Sequence, residues 1–242
     1  MQPDPENLIK AMGLETPPIG FYDAPAPSAF APLVTPVPGE WACVFSFYPN
    51  WLKGGTLHVT RHNYGCGGAG HWLCGVQTRS REDFVRFLVD EEGLKCSHEL
   101  MESWIDATSP YRQQHEHILI GPLRETQYEH LRTVTFYVNP DQLGLLMLGA
   151  NYASAPDDPP AVIAPFGSGC SQLAGLFRDL GIPQALVGAT DIAMRQHLPP
   201  DILAFTVTGP MFQRLCELDE KSFLYKPFWQ SLRRARQQQN AS

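Results

Sequence analysis

Three features are missing from the sequence, and each absence excludes a class of protein. No apolar run reaches the roughly 18 to 20 residues that a membrane-spanning helix requires. Basic residues are outnumbered, with 18 Lys and Arg against 25 Asp and Glu and a formal charge of -7, which argues against a nucleic-acid binder because neutralising phosphates needs a basic face. The first residues are acidic rather than basic, and no apolar segment of a secretory leader follows them. We therefore expect a cytoplasmic protein with neither a membrane nor a nucleic acid as partner.

The familiar catalytic and cofactor signatures are also missing. The sequence has no G-x-G-x-x-G and no G-x-x-x-x-G-K-[ST] pattern, so neither a dinucleotide fold nor a P-loop is predicted. A Gly-x-Ser-x-Gly elbow of the serine hydrolases is absent. The cysteine spacings match neither the Cys-x-x-Cys pairs of zinc ribbons nor the runs of ferredoxins.

The composition is that of an ordinary globular protein. The chain has 242 residues and a mass of 27.0 kDa, with 43% hydrophobic residues, 22 prolines and 20 glycines, which is enough to bury a core in one domain. Short strand and helix patterns follow one another in mixed order, which favours an α+β (mixed α/β) fold. We expect one compact domain over residues 1–242, with a mixed sheet and flanking helices. Prolines predict a loop at residues 24–40, and a polar C-terminal tail is expected at residues 231–242.

Hydrophobic periodicity and turn residues place the individual elements. Strands are predicted at residues 19–22, 41–48, 56–60, 118–123, 134–138, 161–166, 185–189 and 202–207. Helices are predicted at residues 7–14, 80–92, 98–107, 142–150, 171–180 and 211–217. A Gly-rich loop is expected directly after the strand at 56–60.

Six cysteines are the most informative residue type in the chain. In a reducing compartment they are buried thiols, metal ligands or redox groups more often than disulfides. Cys43 lies in an apolar run, so it is either a small buried thiol or a metal ligand. Cys96 and Cys216 are expected to be structural and are left out of the site.

The densest group of reactive side chains lies in residues 64–75. This segment holds Cys66, His71 and Cys74 among five glycines. Glycines let backbone amides point at an anion or a cluster sulfide, and thiolates bind soft metals. Gly65, Gly67 and Gly68 are therefore candidate cofactor-binding positions, whereas the alternative is a tight turn with two buried cysteines.

A second candidate turn follows a predicted strand at residues 165–171. Gly167 and Gly169 flank a serine, and a helix is expected to start at Cys170 or Ser171. A thiol at a helix N-terminus has a lowered pKa and can act as a thiolate ligand or nucleophile. The alternative is a structural turn capped by Ser171. Residues 64–68 resemble this turn, since each segment has a cysteine next to glycines after a predicted strand. The match is too short to establish a repeat.

One charged pair follows a predicted strand end. Asp191 and Arg195 are spaced i to i+4, which favours a salt bridge on one helical face. The alternative is that Arg195 neutralises an anionic ligand.

Several motifs recur in a characteristic order along almost the whole chain. They are Pro17-Pro18-Ile19-Gly20, Cys43, residues 65–68, Asn139-Pro140-Asp141-Gln142, residues 167–170, residues 188–195, residues 203–207, Ser222-Phe223-Leu224, Trp229 and Arg233. In this order they resemble an uncharacterised family, domain of unknown function 169. The resemblance implies that Cys43, Cys66 and Cys170 fall on positions where the family commonly has cysteine, and it implies no function.

The leading hypothesis is an iron-sulfur protein with a redox or sensing role. Cys43, Cys66 and Cys170 would bind the cluster, with Cys74 or His71 as the fourth ligand, in a Gly-lined pocket. A redox partner or a small-molecule ligand would follow from this role. The alternative from another class is a non-enzymatic module that binds a small anion through the two Gly-rich turns and Arg195. Structural zinc is a third interpretation, disfavoured by the wide spacings.

Overall fold

Eight short strands form one continuous sheet. The computed structural model describes residues 4–37 and 43–240. The strands are β1 Ile19–Ala24, β2 Leu33–Val34, β3 Thr56–Val59, β4 His117–Pro122, β5 Leu131–Val138, β6 Val162–Ile163, β7 Ala185–Gly188 and β8 Leu203–Thr208. Their order across the sheet is β2-β3-β4-β1-β5-β8-β7-β6.

Helices cover both faces of this sheet. They are α1 Glu6–Met12, α2 Tyr48–Leu52, α3 Gly67–Cys74, α4 Arg81–Arg86, α5 His98–Ala107, α6 Pro140–Ala150, α7 Gly169–Leu173, α8 Ile192–Arg195, α9 Gly209–Cys216 and α10 Pro227–Asn240. Short 3-10 turns lie at Ser28–Phe30, Val44–Phe47, Glu125–His130 and Phe223–Tyr225, and one π-helical turn at Phe87–Glu91 extends α4.

The sheet consists of two halves with the same topology. In the first half, β1 and β3 pair antiparallel with β4, and β2 is a parallel edge strand beside β3. In the second half, β5 and β7 pair antiparallel with β8, and β6 is a parallel edge strand beside β7. The halves join through the antiparallel pair of β1 and β5 at the centre of the sheet. A twofold axis perpendicular to the sheet therefore relates β1 to β5, β2 to β6, β3 to β7 and β4 to β8.

The registers of the two halves agree residue by residue. One row of paired residues runs Phe21, Ile120, Leu57, Val34, and its equivalent in the second half runs Thr135, Thr206, Leu186, Ile163. At the centre, Gly20 pairs with Val134. The twofold axis exchanges these two residues, so it maps this pair onto itself. The repeat thus extends to single residues of all eight strands.

Two hydrophobic layers enclose the sheet. On one face, called here the crossover face, α2, α3, α7 and α8 pack with residues such as Trp51, Trp72 and Leu173 over β1, β3 and β4. On the opposite face, α1, α6, α9 and α10 pack with residues such as Leu146 and Phe212 over β5 and β8. The crossover face carries the cysteines of the candidate site.

The predicted α+β fold with a mixed sheet is confirmed. The strand predicted at residues 41–48 is wrong in its described part, because Val44–Phe47 is a 3-10 turn that leads directly into α2; Trp41 and Ala42 lie outside the described residues. Its aromatic residues pack onto the sheet from a helix instead of forming part of it. The Gly-rich loop expected at residues 64–75 is also largely helical, since α3 begins at Gly67.

The Pro-rich loop and the polar C-terminal tail both contain regular structure. The Pro-rich segment 24–40 holds a 3-10 turn and the edge strand β2, and Pro38, Gly39 and Glu40 lie outside the described residues. The polar tail 231–242 continues α10 as far as Asn240. Within residues 4–37 and 43–240, no helix is long and apolar enough to cross a membrane.

Candidate functional site

Three cysteines from distant parts of the sequence meet on the crossover face. Cys43 precedes the 3-10 turn before α2, Cys66 is the N-cap residue of α3, and Cys170 is the second residue of α7. All three thiols are free; Cys170 is buried, and Cys43 and Cys66 are half-buried. We call these three residues the thiol trio.

The sulfur of Cys66 is the centre of the trio. Hydrogen bonds from the thiols of Cys170 and Cys43 lower the pKa of Cys66, and the backbone amides of Ala69 and Gly68 lower it further. Burial opposes this shift but does not outweigh it. An N-cap thiol accepts from the unsatisfied amides of the first helical turn, which favours its ionised form. Of the three thiols, Cys66 is the one whose contacts favour ionisation.

The other two thiols show the opposite shift. The pKa of Cys43 and that of Cys170 are raised, first because each thiol donates to Cys66 and second because each is buried. A proton that is shared in a hydrogen bond to a thiolate is harder to remove, and a second negative charge beside the first is unfavourable. The opposite pKa shifts thus favour ionisation of Cys66 and protonation of Cys43 and Cys170.

The backbone around Cys66 explains how this arrangement forms. Gly65 has a left-handed backbone conformation with a φ of 76°, which glycine adopts without strain. Cys66 itself is extended, with φ -80° and ψ 163°, as an N-cap requires. A Cβ at Gly68 would lie 3.9 Å from the Cys66 sulfur, so this amide is reached without a covering side chain.

The glycines of the second turn serve packing instead. A Cβ at Gly169 would come within 2.5 Å of the Phe45 ring, and one at Gly167 within 2.7 Å of the Phe177 ring. Ser171 is fully buried, and its hydroxyl donates to the Ser168 carbonyl at 2.8 Å. The structure therefore explains Gly167, Gly169 and Ser171 through close approach and turn formation. Their predicted role in cofactor binding stays a prediction.

Asp191 reaches the trio from the second half. Its carboxylate caps α8, accepting from the Ala193 amide at 3.0 Å, and also accepts from the Gly169 amide at 3.2 Å. Its negative charge raises the pKa of Cys43 and of Cys170. The salt bridge predicted between Asp191 and Arg195 is wrong, because Arg195 donates to the carbonyls of Ile202, Pro199 and Pro200 instead.

A buried tyrosine hydroxyl lies beneath the trio. Tyr137 on β5 is buried against Tyr48 and Trp51, with ring centroids 5.2 and 5.9 Å away. Its hydroxyl finds no hydrogen-bond partner among the described residues, and burial raises its pKa, with smaller contributions from Tyr48, Cys170 and Cys43. An unpaired buried hydroxyl is costly, so this donor is available to a group bound at the trio. The sequence offered no signal for it beyond a strand pattern.

Cys74 and His71 point to another part of the molecule. Cys74 ends α3, so about 12 Å of helix separates it from Cys66, and burial raises its pKa to about 12. His71 packs against Trp72 and Phe84, with ring centroids 4.5 and 5.3 Å away. Cys74 shares a hydrophobic cluster with Cys170, but in the described part of the chain no side-chain hydrogen bond or ring contact joins either residue to the trio. The fourth-ligand role predicted for them finds no support in this geometry.

The long segment between α3 and β4 contacts the second half beside the trio. It contains α4 and α5, and in the second half only a short link joins α8 to β8. Lys95 lies 4.2 Å from the Phe166 ring centroid, and the Trp104 ring lies 4.9 Å from the same ring. Burial raises the pKa of Glu92 in this segment, and the negative charge of Asp191 raises it further. The segment between α3 and β4 therefore places the Glu92 carboxylate near Asp191.

Cavities lie on the other side of α3. A cleft of about 710 Å³ is lined by Arg61, His62, Arg112 and His115, with Cys74 at its wall. A smaller one of about 230 Å³ lies beside His71 and Arg79. In residues 4–37 and 43–240, no group of three or more His, Cys, Asp or Glu side chains is arranged to hold a metal ion.

The fold and the site together define the chain as an α+β protein with a twofold-repeated sheet and three free cysteines gathered near the junction of the halves. Residues 7–218 match the model of the family described as uncharacterised ArCR, domain of unknown function 169. The chain belongs to this family. The search of curated proteins and the search of solved structures found no match.

Proposed function

We propose that the thiol trio binds an iron-sulfur cluster and that the protein has a redox or sensing role. The observation that carries this proposal is the convergence of Cys43, Cys66 and Cys170 from three separate loops. Thiolate groups are the ligands that such clusters require. Buried structural cysteines have no physical reason to meet at one point, because a small apolar side chain fills a core position equally well.

The surroundings of the trio fit such a group. The amides of Gly68 and Ala69 already donate to the Cys66 sulfur, and amide donors to ligand sulfurs tune the potential of clusters. The unpartnered Tyr137 hydroxyl supplies a further donor. When bound, a cluster supplies one-electron transfer.

The protonated trio also explains why the thiols are not already arranged around one metal ion. Cys43 and Cys170 donate hydrogen bonds to Cys66, and this arrangement must open when their protons leave. Metal binding releases ligand protons and reorganises the site.

The test is the metal content of protein purified without oxygen. Iron and acid-labile sulfide in matched amounts, with a broad visible absorption, are expected. Serine at Cys43, Cys66 or Cys170 should each abolish the cluster, whereas Cys96→Ser, at an exposed cysteine, serves as the matched control and should retain it. Stoichiometric zinc, or a cluster that survives all three substitutions, would contradict the proposal.

A second candidate function rests on the cationic cleft. Arg61, Arg112, His62, His115 and Glu116 line one cavity, and its two guanidinium groups suit a small anion. This version of the anion-binding module differs from the predicted one, since the guanidinium of Arg195 is occupied by backbone carbonyls. Thermal unfolding with a panel of phosphates and carboxylates tests it. A rise in Tm that Arg112→Gln removes supports the module, and the absence of any rise contradicts it.

A further inference from the structure

A buried carboxylate holds one wall of the cleft of about 710 Å³ in place. Asp23 of β1 is fully buried. Its two oxygens accept from the Tyr111 hydroxyl at 3.0 Å, from the Gln114 amide at 2.7 Å and from the His115 amide at 2.8 Å. A buried carboxylate is tolerated only when donors surround it. Asp23 therefore fixes the segment of residues 109–116, which lines the cleft.

The same aspartate orients the imidazole ring of His115. Nδ1 of His115 lies 3.2 Å from a carboxylate oxygen of Asp23 and 3.1 Å from its backbone carbonyl oxygen. An ionised carboxylate and a carbonyl only accept hydrogen bonds, so Nδ1 carries a proton. In the neutral ring Nε2 is then a hydrogen-bond acceptor. Within residues 4–37 and 43–240 this Nε2 has no hydrogen-bond partner, and His115 lines the cleft.

The rest of the cleft lining supplies mainly donors. Arg61 and Arg112 line it. The Nε of Arg61 donates to the Cys74 carbonyl at 3.2 Å, which leaves the two terminal nitrogens of its guanidinium for a ligand. Gln113 also lines the cleft, and its side-chain nitrogen is buried with no partner among the described residues. An unpaired buried donor is costly, and a bound oxyanion would satisfy it. Glu116 adds an opposing negative charge.

One acceptor among several donors selects a particular kind of anion. Guanidinium and amide donors attract any small oxyanion. An acceptor such as Nε2, however, repels an anion whose oxygens carry only lone pairs. Hydrogen phosphate satisfies both requirements, because it keeps a hydroxyl proton throughout the neutral pH range. Sulfate and simple carboxylates have no such proton at neutral pH.

We propose that the cleft binds hydrogen phosphate and that Nε2 of His115 accepts a hydrogen bond from its hydroxyl group. This inference rests on the second candidate function, anion binding in the same cleft, and it is independent of the iron-sulfur proposal. Arg61 and Arg112 attract the anion, and His115, held by Asp23, selects it. A site that pairs with a hydroxyl group rejects an analogue without one, because the polar group of the site is then left unpaired.

The test measures the affinity of the full chain for three anions by calorimetry at pH 8. The anions are inorganic phosphate, sulfate and methyl phosphate, which are similar in size and shape. At pH 8 an imidazole is ordinarily neutral, and methyl phosphate has lost its hydroxyl proton because the second pKa of a phosphate monoester is near 6. The wild type should bind inorganic phosphate at least about tenfold more tightly than either of the other two anions.

Three variants assign this preference to a side chain. His115→Phe removes the acceptor and should make the three affinities equal. Arg112→Gln should weaken the binding of all three anions by a similar factor, because it removes attraction without removing the acceptor. The matched control is His98→Phe: His98 also pairs with an aspartate, Asp90, at 2.7 Å, but it is exposed on α5 and does not line the cleft. This control should keep the affinities of the wild type.

The possible failures point to different conclusions. Equal binding of phosphate and sulfate by the wild type, which requires no variant to fold, would overturn the inference and leave the anion-binding module standing. A preference for phosphate that persists in folded His115→Phe would also overturn it, since another group would then select the anion. If none of the three anions binds, the anion-binding module itself is refuted, and this inference with it.

Discussion

At the scale of single residues, Cys66 differs from every other cysteine in the chain. It alone combines two thiol donors with two amide donors on one sulfur. A thiol with a normal pKa near 8.5 gains roughly two orders of magnitude in thiolate fraction between pH 6 and 8. Because its pKa is lowered, Cys66 in the metal-free folded protein should already be ionised at pH 6.

We therefore expect the alkylation rate of Cys66 by iodoacetamide to change little between pH 6 and 8. Mass spectrometry of the labelled peptides measures the rate. In urea, the same peptide should recover the steep pH dependence of an ordinary thiol, and Cys43 and Cys170 should stay unreactive in the folded protein. A folded-state rate for Cys66 that climbs as steeply as the rate in urea would show that its thiol is protonated.

Tyr137 offers a second residue-scale prediction that does not depend on iron. Its hydroxyl is buried without a partner among the described residues, so Tyr137→Phe should stabilise the metal-free protein by about 1 kcal/mol. In the loaded protein the same change should lower the midpoint potential, because a donor to the cluster is lost. Tyr152→Phe, at an exposed ring, is the control and should change neither quantity. Destabilisation of the metal-free protein would mean that the hydroxyl has a partner.

The sequence could indicate the thiols but not the side chains that surround them. Cysteines next to glycines are visible signals, and all three members of the trio were predicted as ligands. Asp191 has an equally plausible helical partner four residues later, and Tyr137 reads as a core residue of β5. Their roles depend on which loops the sheet brings together, which local patterns do not encode.

At the scale of elements, the contact between α7 and the 3-10 turn after Cys43 sets the geometry of the trio. Gly169 allows the Phe45 ring to approach, and an added Cβ would lie 2.5 Å from that ring. Gly169→Ala should therefore destabilise the protein by about 1 to 3 kcal/mol through overpacking. Urea unfolding measures the change.

Gly144 in α6 is the matched control for this substitution. Nothing lies within 4 Å of a Cβ at Gly144, so Gly144→Ala should stabilise the protein by about 0.5 to 1 kcal/mol, as expected for a glycine inside a helix. Equal effects of the two substitutions would show that the contact with Phe45 has no energetic weight.

Elements with a clear period and good caps were predictable, and aromatic segments were not. The helix at residues 98–107 begins after Ser97, whose side chain accepts from the Leu100 amide, and α6 starts with a capping box at Asn139. The segment after Cys43 is rich in aromatic and β-branched residues, which favours a strand. Here tertiary packing overrides propensity, because β3 and β4 already fill that part of the sheet and Trp51 donates to the Ile120 carbonyl from above it.

At the scale of the whole molecule, the repeat of the sheet is the feature that the sequence hides best. Strand registers agree between the halves, yet residues at equivalent positions can differ in type, as Phe21 differs from Thr135 and Ile120 from Thr206. Equivalent strand positions in the two halves share burial and backbone pairing, whereas the side chains at positions such as these differ in chemistry. Loop lengths differ as well, and the long insertion with α4 and α5 occurs in the first half only.

The last prediction concerns the coupling between the halves. Cys43 and Cys66 belong to the first half and Cys170 to the second, and β1 and β5 join the halves in one sheet. A ligand that binds only the folded state stabilises it by an amount that grows with its concentration relative to Kd. Because the site draws on both halves, loading should raise Tm and slow hydrogen exchange in β1 and in β5 by the same factor.

Hydrogen exchange of the loaded and metal-free forms measures this coupling. Cys96→Ser should show the same gain in protection as the wild type, whereas Cys170→Ser should lose it in both central strands, although the substitution lies in the second half alone. Protection confined to β1 and β3 would place the centre on the first half alone. It would also mean that Cys170 contributes packing but no bond to the metal, since a bond from α7 must stabilise the half of the sheet to which α7 belongs.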